Sequence, residues 1–114
     1  MLNKTFGEYF VNLDGIDPLS TVVRCITADE ARVMTQYLAS QGVWDAESAN
    51  VLYDNWDMFE ESTCYHLSHR EWCYDSWFEK ERPKYRIVDF CDIFSKVAWN
   101  QSAKATMSYD NLFG

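Results

Sequence analysis

The sequence contains little glycine and proline and no long run of apolar residues. Its four glycines are isolated at positions 7, 15, 42 and 114, so no glycine-rich loop of the kind that holds phosphate groups is present. No window approaches the roughly 18 consecutive apolar residues of a membrane-spanning helix, and the N-terminus lacks the pattern of a secretory signal. We therefore expect a cytoplasmic protein that does not bind membranes.

Positive charge is also scarce. The chain has 10 Lys and Arg against 18 Asp and Glu, which gives a net charge of −8. Each contact with a nucleic-acid phosphate needs a basic side chain, so direct binding to nucleic acid is disfavoured. Residues 1–62 carry eleven acidic and three basic side chains, whereas residues 63–114 carry seven of each. The acidity therefore belongs to the first half, and an acidic surface that only keeps the protein soluble is the alternative interpretation.

Apolar and aromatic residues are abundant. The composition is 47% hydrophobic and 17% aromatic over 114 residues, which is enough apolar area to offset the ordering entropy of one domain. We expect a single domain over residues 1–114, with an ambiguous segment at 1–16, either a short helix or an edge strand, and a weakly structured tail at 101–114.

Helix-capping patterns predict a mainly α fold, a compact bundle of four to five helices. Thr27 to Glu30 form a capping box before a helix of about 28–41. Its apolar stripe is predicted to consist of Ala31, Met34, Thr35 and Leu38. Residues 19–26 are rich in β-branched side chains and favour a short strand, with a helix begun by Asp17 and Pro18 as the alternative. A brief extended segment is also expected at 84–87.

Three further helices are expected from similar signals. Asp45 can cap a helix that runs to about Ser62. The residues from Ser68 to Glu71 form a second capping box before a helix of about 69–80. A final helix begins near Asp89, with Asp92 and Lys96 as an i,i+4 pair.

The predicted 45–62 helix carries a stripe of carboxylates opposite its apolar side. At 100° per residue the stripe contains Glu47, Asp54 and Glu61, with Asp57 beside it. Aromatic residues fall at the edges of the apolar stripes or off them: Tyr53, Tyr65, Trp72 and Trp99. Exposed aromatic residues among carboxylates are typical of protein-binding surfaces. We therefore predict a partner-binding site made of Glu47, Asp54, Asp57, Glu61, Tyr53 and Trp72.

A cluster of cysteine and histidine residues follows this stripe. Within ten residues the chain has four side chains that zinc accepts as ligands, namely Cys64, His66, His69 and Cys73. Their spacing matches none of the common zinc modules. Cys64 beside one of the histidines is also the only candidate nucleophile, but no oxyanion-stabilising turn accompanies it. We expect no enzyme and no cofactor, with zinc at this cluster as the alternative.

Acidity, aromatic content and small size together favour an inhibitor that binds another protein. In composition the chain resembles the small inhibitors that phages and mobile elements direct against host nucleases, such as anti-restriction and anti-CRISPR proteins. This resemblance implies a nucleic-acid mimic that blocks a basic or nucleic-acid-binding protein in the cytoplasm of a host cell. The alternatives are a zinc-binding structural or catalytic domain and a homo-oligomeric assembly protein, for instance a homodimer that buries Trp72 and Trp99.

Overall fold

The computed structural model describes residues 4–96 and shows a mixed α/β fold with two separate sheets. The expectation of a mainly helical bundle is therefore wrong. The strands are β1 (Lys4–Phe6), β2 (Tyr9–Val11), β3 (Thr21–Arg24), β4 (Thr63–His66), β5 (Trp72–Tyr74), β6 (Arg86–Asp89) and β7 (Phe94–Lys96). The α-helices are α1 (Ala28–Ser40), α2 (Ala46–Asp54), α3 (Asp75–Glu81) and α4 (Phe90–Ile93), and two 3-10 turns cover Trp56–Met58 and Glu60–Ser62.

Each sheet pairs an early strand of the chain with a late one. The first has the order β1-β2-β7 with antiparallel neighbours. The second has the order β5-β4-β3-β6, in which β3 and β6 are parallel and the other pairs are antiparallel. Strands β3 and β6 overlap the segments 19–26 and 84–87, where short extended segments were expected.

Helix α1 agrees with its prediction. The Thr27 side chain accepts a hydrogen bond from Glu30 N, and the helix ends before Gly42, whose φ of +78° suits glycine. The four residues of the predicted apolar stripe are buried. Local capping and hydrophobic periodicity are therefore sufficient to define this helix.

Helix α2 starts where predicted but ends early. The Asp45 carboxylate accepts from Ser48 N at 2.7 Å, yet the helix stops at Asp54 and gives way to the 3-10 turns. Glu60 has a φ of +50°, a left-handed conformation that cannot continue a right-handed helix. The single helix predicted over 45–62 is therefore wrong in its second half.

The helix predicted over 69–80 is also wrong in its first half. Residues 72–74 form β5 and pair with β4, and only Asp75–Glu81 is helical. The capping box fails because its two side chains have other partners: Ser68 Oγ donates to Pro18 O, and the Glu71 carboxylate accepts from Arg82 and Tyr85.

Both ends of the described chain extend into the three-stranded sheet. The segment 1–16 was predicted as a helix or an edge strand, and within its described part the hairpin of β1 and β2 replaces the helix, with Gly7 (φ +60°) in the turn. Asp89 caps α4 as predicted, but that helix ends at Ile93 and β7 follows. The predicted helical pair of Asp92 and Lys96 is therefore wrong, and the tail at 101–114 lies outside the described residues.

The four-stranded sheet buries apolar residues on both faces. Val23 and Tyr65 point into the larger cluster with Met34 and Leu38 of α1. On the other face Val22 and Cys64 pack with Phe78 of α3. Within residues 4–96 no helix has both the length and the apolar character needed to cross a bilayer.

Candidate functional site

The proposed zinc ligands lie on and beside the β4–β5 hairpin. Cys64 and Cys73 are cross-strand partners, Cys64 and His66 are fully buried, and His69 in the connecting turn is exposed. Among residues 4–96 no three or more His, Cys, Asp or Glu side chains are grouped so that they could hold a metal ion. The described structure therefore does not assemble these four side chains into a zinc site.

The ring of His66 has a structural role in the hairpin. Its Nδ1 accepts hydrogen bonds from the backbone N–H groups of Ser68 and His69, both at 2.9 Å. An Nδ1 that accepts carries no proton, so the neutral ring carries its hydrogen on Nε2, which is buried and has no well-aligned partner in the described structure. Burial lowers the pKa of His66, and the neighbouring His69 lowers it further.

The thiol of Cys64 is in an unreactive environment. Burial raises its pKa to about 12, so the thiol is protonated at neutral pH. The thiolate is the form that attacks carbonyl groups and binds metals. This geometry therefore gives no support to a nucleophile made of Cys64 and His66.

The predicted carboxylate stripe is distributed over three elements rather than one helix. Glu47 and Asp54 lie on α2, Asp57 on the first 3-10 turn and Glu61 on the second, and all four are exposed. None of them forms an ion pair with a basic residue within the described chain. We call these four residues the acidic surface.

Apolar side chains are exposed on the same elements. Val51 on α2 is 53% exposed, and Met58 on the first 3-10 turn is 63% exposed. Val51 is four residues after Glu47 and three before Asp54, so on the helix it lies next to both. The combination of unpaired carboxylates with isolated apolar side chains is suited to protein binding, because charge attracts a partner and apolar burial holds it.

The predicted aromatic residues have different environments. Tyr53 is half-buried beside the acidic surface, where it lines two shallow cavities together with Asp54. Trp72 is half-buried on β5, with its ring centroid 5.2 Å from Phe59 and 6.3 Å from Tyr65. Tyr65 is fully buried, so the prediction that it lies at the edge of the apolar stripes or off them is wrong. Trp99 lies outside the described residues.

A cleft that the sequence reasoning missed lies at the carboxyl ends of the parallel strands β3 and β6. It has a volume of about 550 Å³. Ligands commonly bind at this edge of open α/β sheets. Its lining includes one guanidinium, four carboxylates and one thiol, from Arg24, Glu30, Glu61, Asp75, Asp89 and Cys91, with Ile26 and Ser62 completing it.

Arg24 is fixed within this cleft by two carboxylates. Its Nε donates to Asp89 Oδ1 at 2.9 Å and its Nη1 donates to Asp75 Oδ2 at 3.0 Å. These two bonds, first that to Asp89, raise the pKa of Arg24 above its usual value. Glu61 belongs to both the cleft and the acidic surface.

No local sequence signal marks the cleft. Arg24 and Asp89 are 65 positions apart and meet because β3 pairs with β6 in the register that places them opposite each other. Asp75 reaches the same point from the start of α3. Only knowledge of the strand pairing would have brought these residues together.

The chain matches no protein-family model, no curated protein and no solved structure.

Proposed function

We propose that this protein is a small acidic inhibitor that binds a basic, nucleic-acid-binding protein through the acidic surface. The observation that carries the proposal is the group of four exposed carboxylates, at 47, 54, 57 and 61, without a basic partner in the described chain. Charges of one sign reinforce each other's field where they lie within about one Debye length (~10 Å).

Two of the four carboxylates lie on one side of α2. Glu47 and Asp54 are seven residues apart on this helix, which is nearly two full turns and about 10 Å along its axis. A row of unpaired carboxylates is attracted to a basic groove of the kind that binds phosphates. A nuclease of the restriction or CRISPR type is the proposed class of target.

The test uses the acidic surface and a matched control. The wild type and the variant Glu47→Lys/Asp54→Lys/Asp57→Lys/Glu61→Lys are immobilised. Each is used to capture proteins from a lysate of the source cell or, for a phage-encoded protein, of the cell that the phage infects. Wild type is expected to retain a nucleic-acid-binding protein that duplex DNA displaces, and the variant is expected to lose it. Circular dichroism and thermal melting establish that both proteins are folded.

A pair of double variants separates the effect of the acidic surface from that of net charge. Asp54→Lys/Asp57→Lys changes the acidic surface, and Glu79→Lys/Glu81→Lys makes the same charge change at exposed positions of α3. Capture should fall for the first pair and persist for the second. Equal capture by wild type and the quadruple variant would refute the proposal.

A further inference from the structure

A shallow cavity beside the acidic surface combines aromatic rings with carboxylates. It has a volume of about 280 Å³ and is lined by Ala28, Tyr53, Asp54, Trp56 and Asp57. We call it the Tyr53–Trp56 notch. It lies where the end of α2 and the first 3-10 turn approach the first residue of α1.

The two aromatic residues of the notch are anchored by the fold. The Trp56 indole donates from Nε1 to Cys25 O at 3.1 Å, and both Tyr53 and Trp56 pack against the main core cluster. Each is half-buried, so part of each ring remains accessible. A rigid aromatic surface of this kind needs no reordering of side chains when a ligand binds.

The carboxylates of the notch have no basic partner within the described residues. Asp54 and Asp57 are exposed and have no ion-pair partner within residues 4–96. The neighbouring cavity of about 360 Å³ shares Tyr53 and Asp54 but also contains Arg32, whereas no basic residue lines the notch. The positive end of the α1 dipole is nearby, but Asp29 and Glu30 in the first helical turn offset it.

We propose that the notch binds an arginine side chain of the basic partner. A guanidinium can stack on an aromatic ring and donate paired hydrogen bonds to carboxylates, and the notch has both kinds of group. Lysine is a strongly hydrated point charge that matches this combination less well. The inference rests on the proposed function for the identity of the partner, and it names the side chain that this surface selects.

The experiment follows binding of an acetylated tetra-arginine peptide to the full-length ¹⁵N-labelled protein by NMR. We expect the largest shifts at the Trp56 indole N–H and at the backbone amides of residues 53–57. Asp54→Asn/Asp57→Asn should weaken binding about tenfold, since two charge-assisted contacts are lost. The control Glu79→Gln/Glu81→Gln removes equal charge from exposed positions of α3 and should weaken binding less than about twofold.

Two further measurements test the chemistry of the notch. Tyr53→Leu, which keeps an apolar side chain but removes the ring, should weaken tetra-arginine binding about fivefold through the lost stacking energy. A tetra-lysine peptide, with the same charge, should bind the wild type about fivefold more weakly than tetra-arginine.

Several results would overturn the inference. These are shifts spread evenly over all acidic residues, equal weakening by the α3 control, and equal affinity for the two peptides. Shifts at the notch that appear on concentrating the protein without peptide would assign the notch to a second copy of the chain and would also refute it.

The peptide experiment and the capture experiment can fail separately. If the peptide binds at the notch but no basic protein is captured from cells, the proposed function fails and the arginine site stands. If a basic protein is captured through the acidic surface but the peptide shifts do not localise, only the arginine site fails.

Discussion

Lowering the pH from about 7.5 to about 5.5 should destabilise the folded protein through His66, because this window includes the normal titration of histidine. The ring is fully buried, and its Nδ1 accepts two backbone N–H groups at 2.9 Å. A proton on Nδ1 would point at those donors and remove both hydrogen bonds. The surroundings of the ring disfavour its charged form. Burial and the neighbouring His69 lower the pKa of His66, and the opposite effects of Glu71 and the Leu19 backbone are smaller.

The sign and size of the effect follow from proton linkage. In the unfolded chain the pKa of a histidine is about 6.5, and in the folded protein the pKa of His66 is lower. Between these two values the unfolded chain binds more protons, so the free energy of unfolding decreases as the pH falls. Its slope can reach about 1.4 kcal/mol per pH unit for one group. The stabilisation from the neutral His66 ring is complete above about pH 7.5, which is one unit above the unfolded-state pKa. It is lost progressively as the pH falls below that value.

Urea unfolding at pH 5.5, 6.5 and 7.5 measures this dependence in wild type and in His66→Asn. Asparagine places an acceptor oxygen near the position of Nδ1 but does not titrate, so the variant should show a nearly flat profile. His66→Leu, which leaves two N–H groups without an acceptor, should lose about 2–4 kcal/mol at pH 7.5. The loss should be smaller at pH 5.5, because the wild type is itself destabilised there. His69→Asn is the control at the exposed neighbouring ring and should retain most of the dependence. A wild-type stability that is constant across this range, or a slope that persists in His66→Asn, would refute the reasoning.

Two other substitutions test the cleft and the core. Arg24→Gln leaves Asp75 and Asp89 without their cation and should lower the free energy of unfolding by about 1 kcal/mol, a modest loss because the Arg24 side chain is one-third exposed. Thermal melting should show that this loss is smaller at 1 M NaCl. A loss that salt does not change would contradict the electrostatic explanation and point to packing instead. Leu38→Ala should lower the free energy of unfolding by about 2–5 kcal/mol because the side chain is fully buried. Met58→Ala, at an exposed site, should change it by less than about 0.5 kcal/mol. Chemical denaturation measures both values, and similar losses in the two variants would contradict the assigned core.

The starts of α1, α2 and α4 could be predicted from the sequence because capping is local. Thr27, Asp45 and Asp89 each bond to a group three residues away, so the signal and its partner lie in one short window. Strand pairing, in contrast, could not be predicted in this way. Helix α4 ends at Ile93 because the next residues pair with β2, which is far away in the sequence, and residues 72–74 are extended because they pair with β4.

The capping box of Ser68 and Glu71 shows how a local signal can be overridden. Its residue types fit the pattern, but Glu71 bonds instead to Arg82 and Tyr85, which are 11 and 14 positions away. Similarly, the periodicity that placed four carboxylates on one helix is interrupted after Asp54, where α2 ends, and again at Glu60, whose left-handed conformation has no counterpart in residue type. The residues of the acidic surface were identifiable from sequence, whereas their arrangement and the Arg24 cleft depend on the tertiary fold.

The pairing of β3 with β6 and of β2 with β7 has a consequence for the order of folding. Both sheets need a strand from beyond residue 85 as well as strands from the first 25 residues. During synthesis the ribosome releases the early strands first, and they have no complete sheet to join until the later strands emerge. Contacts of such large sequence separation slow folding, since a long loop must close before they form. We therefore expect folding to occur after most of the chain has been made, and the exposed edges of β2 and β3 need protection from aggregation until then.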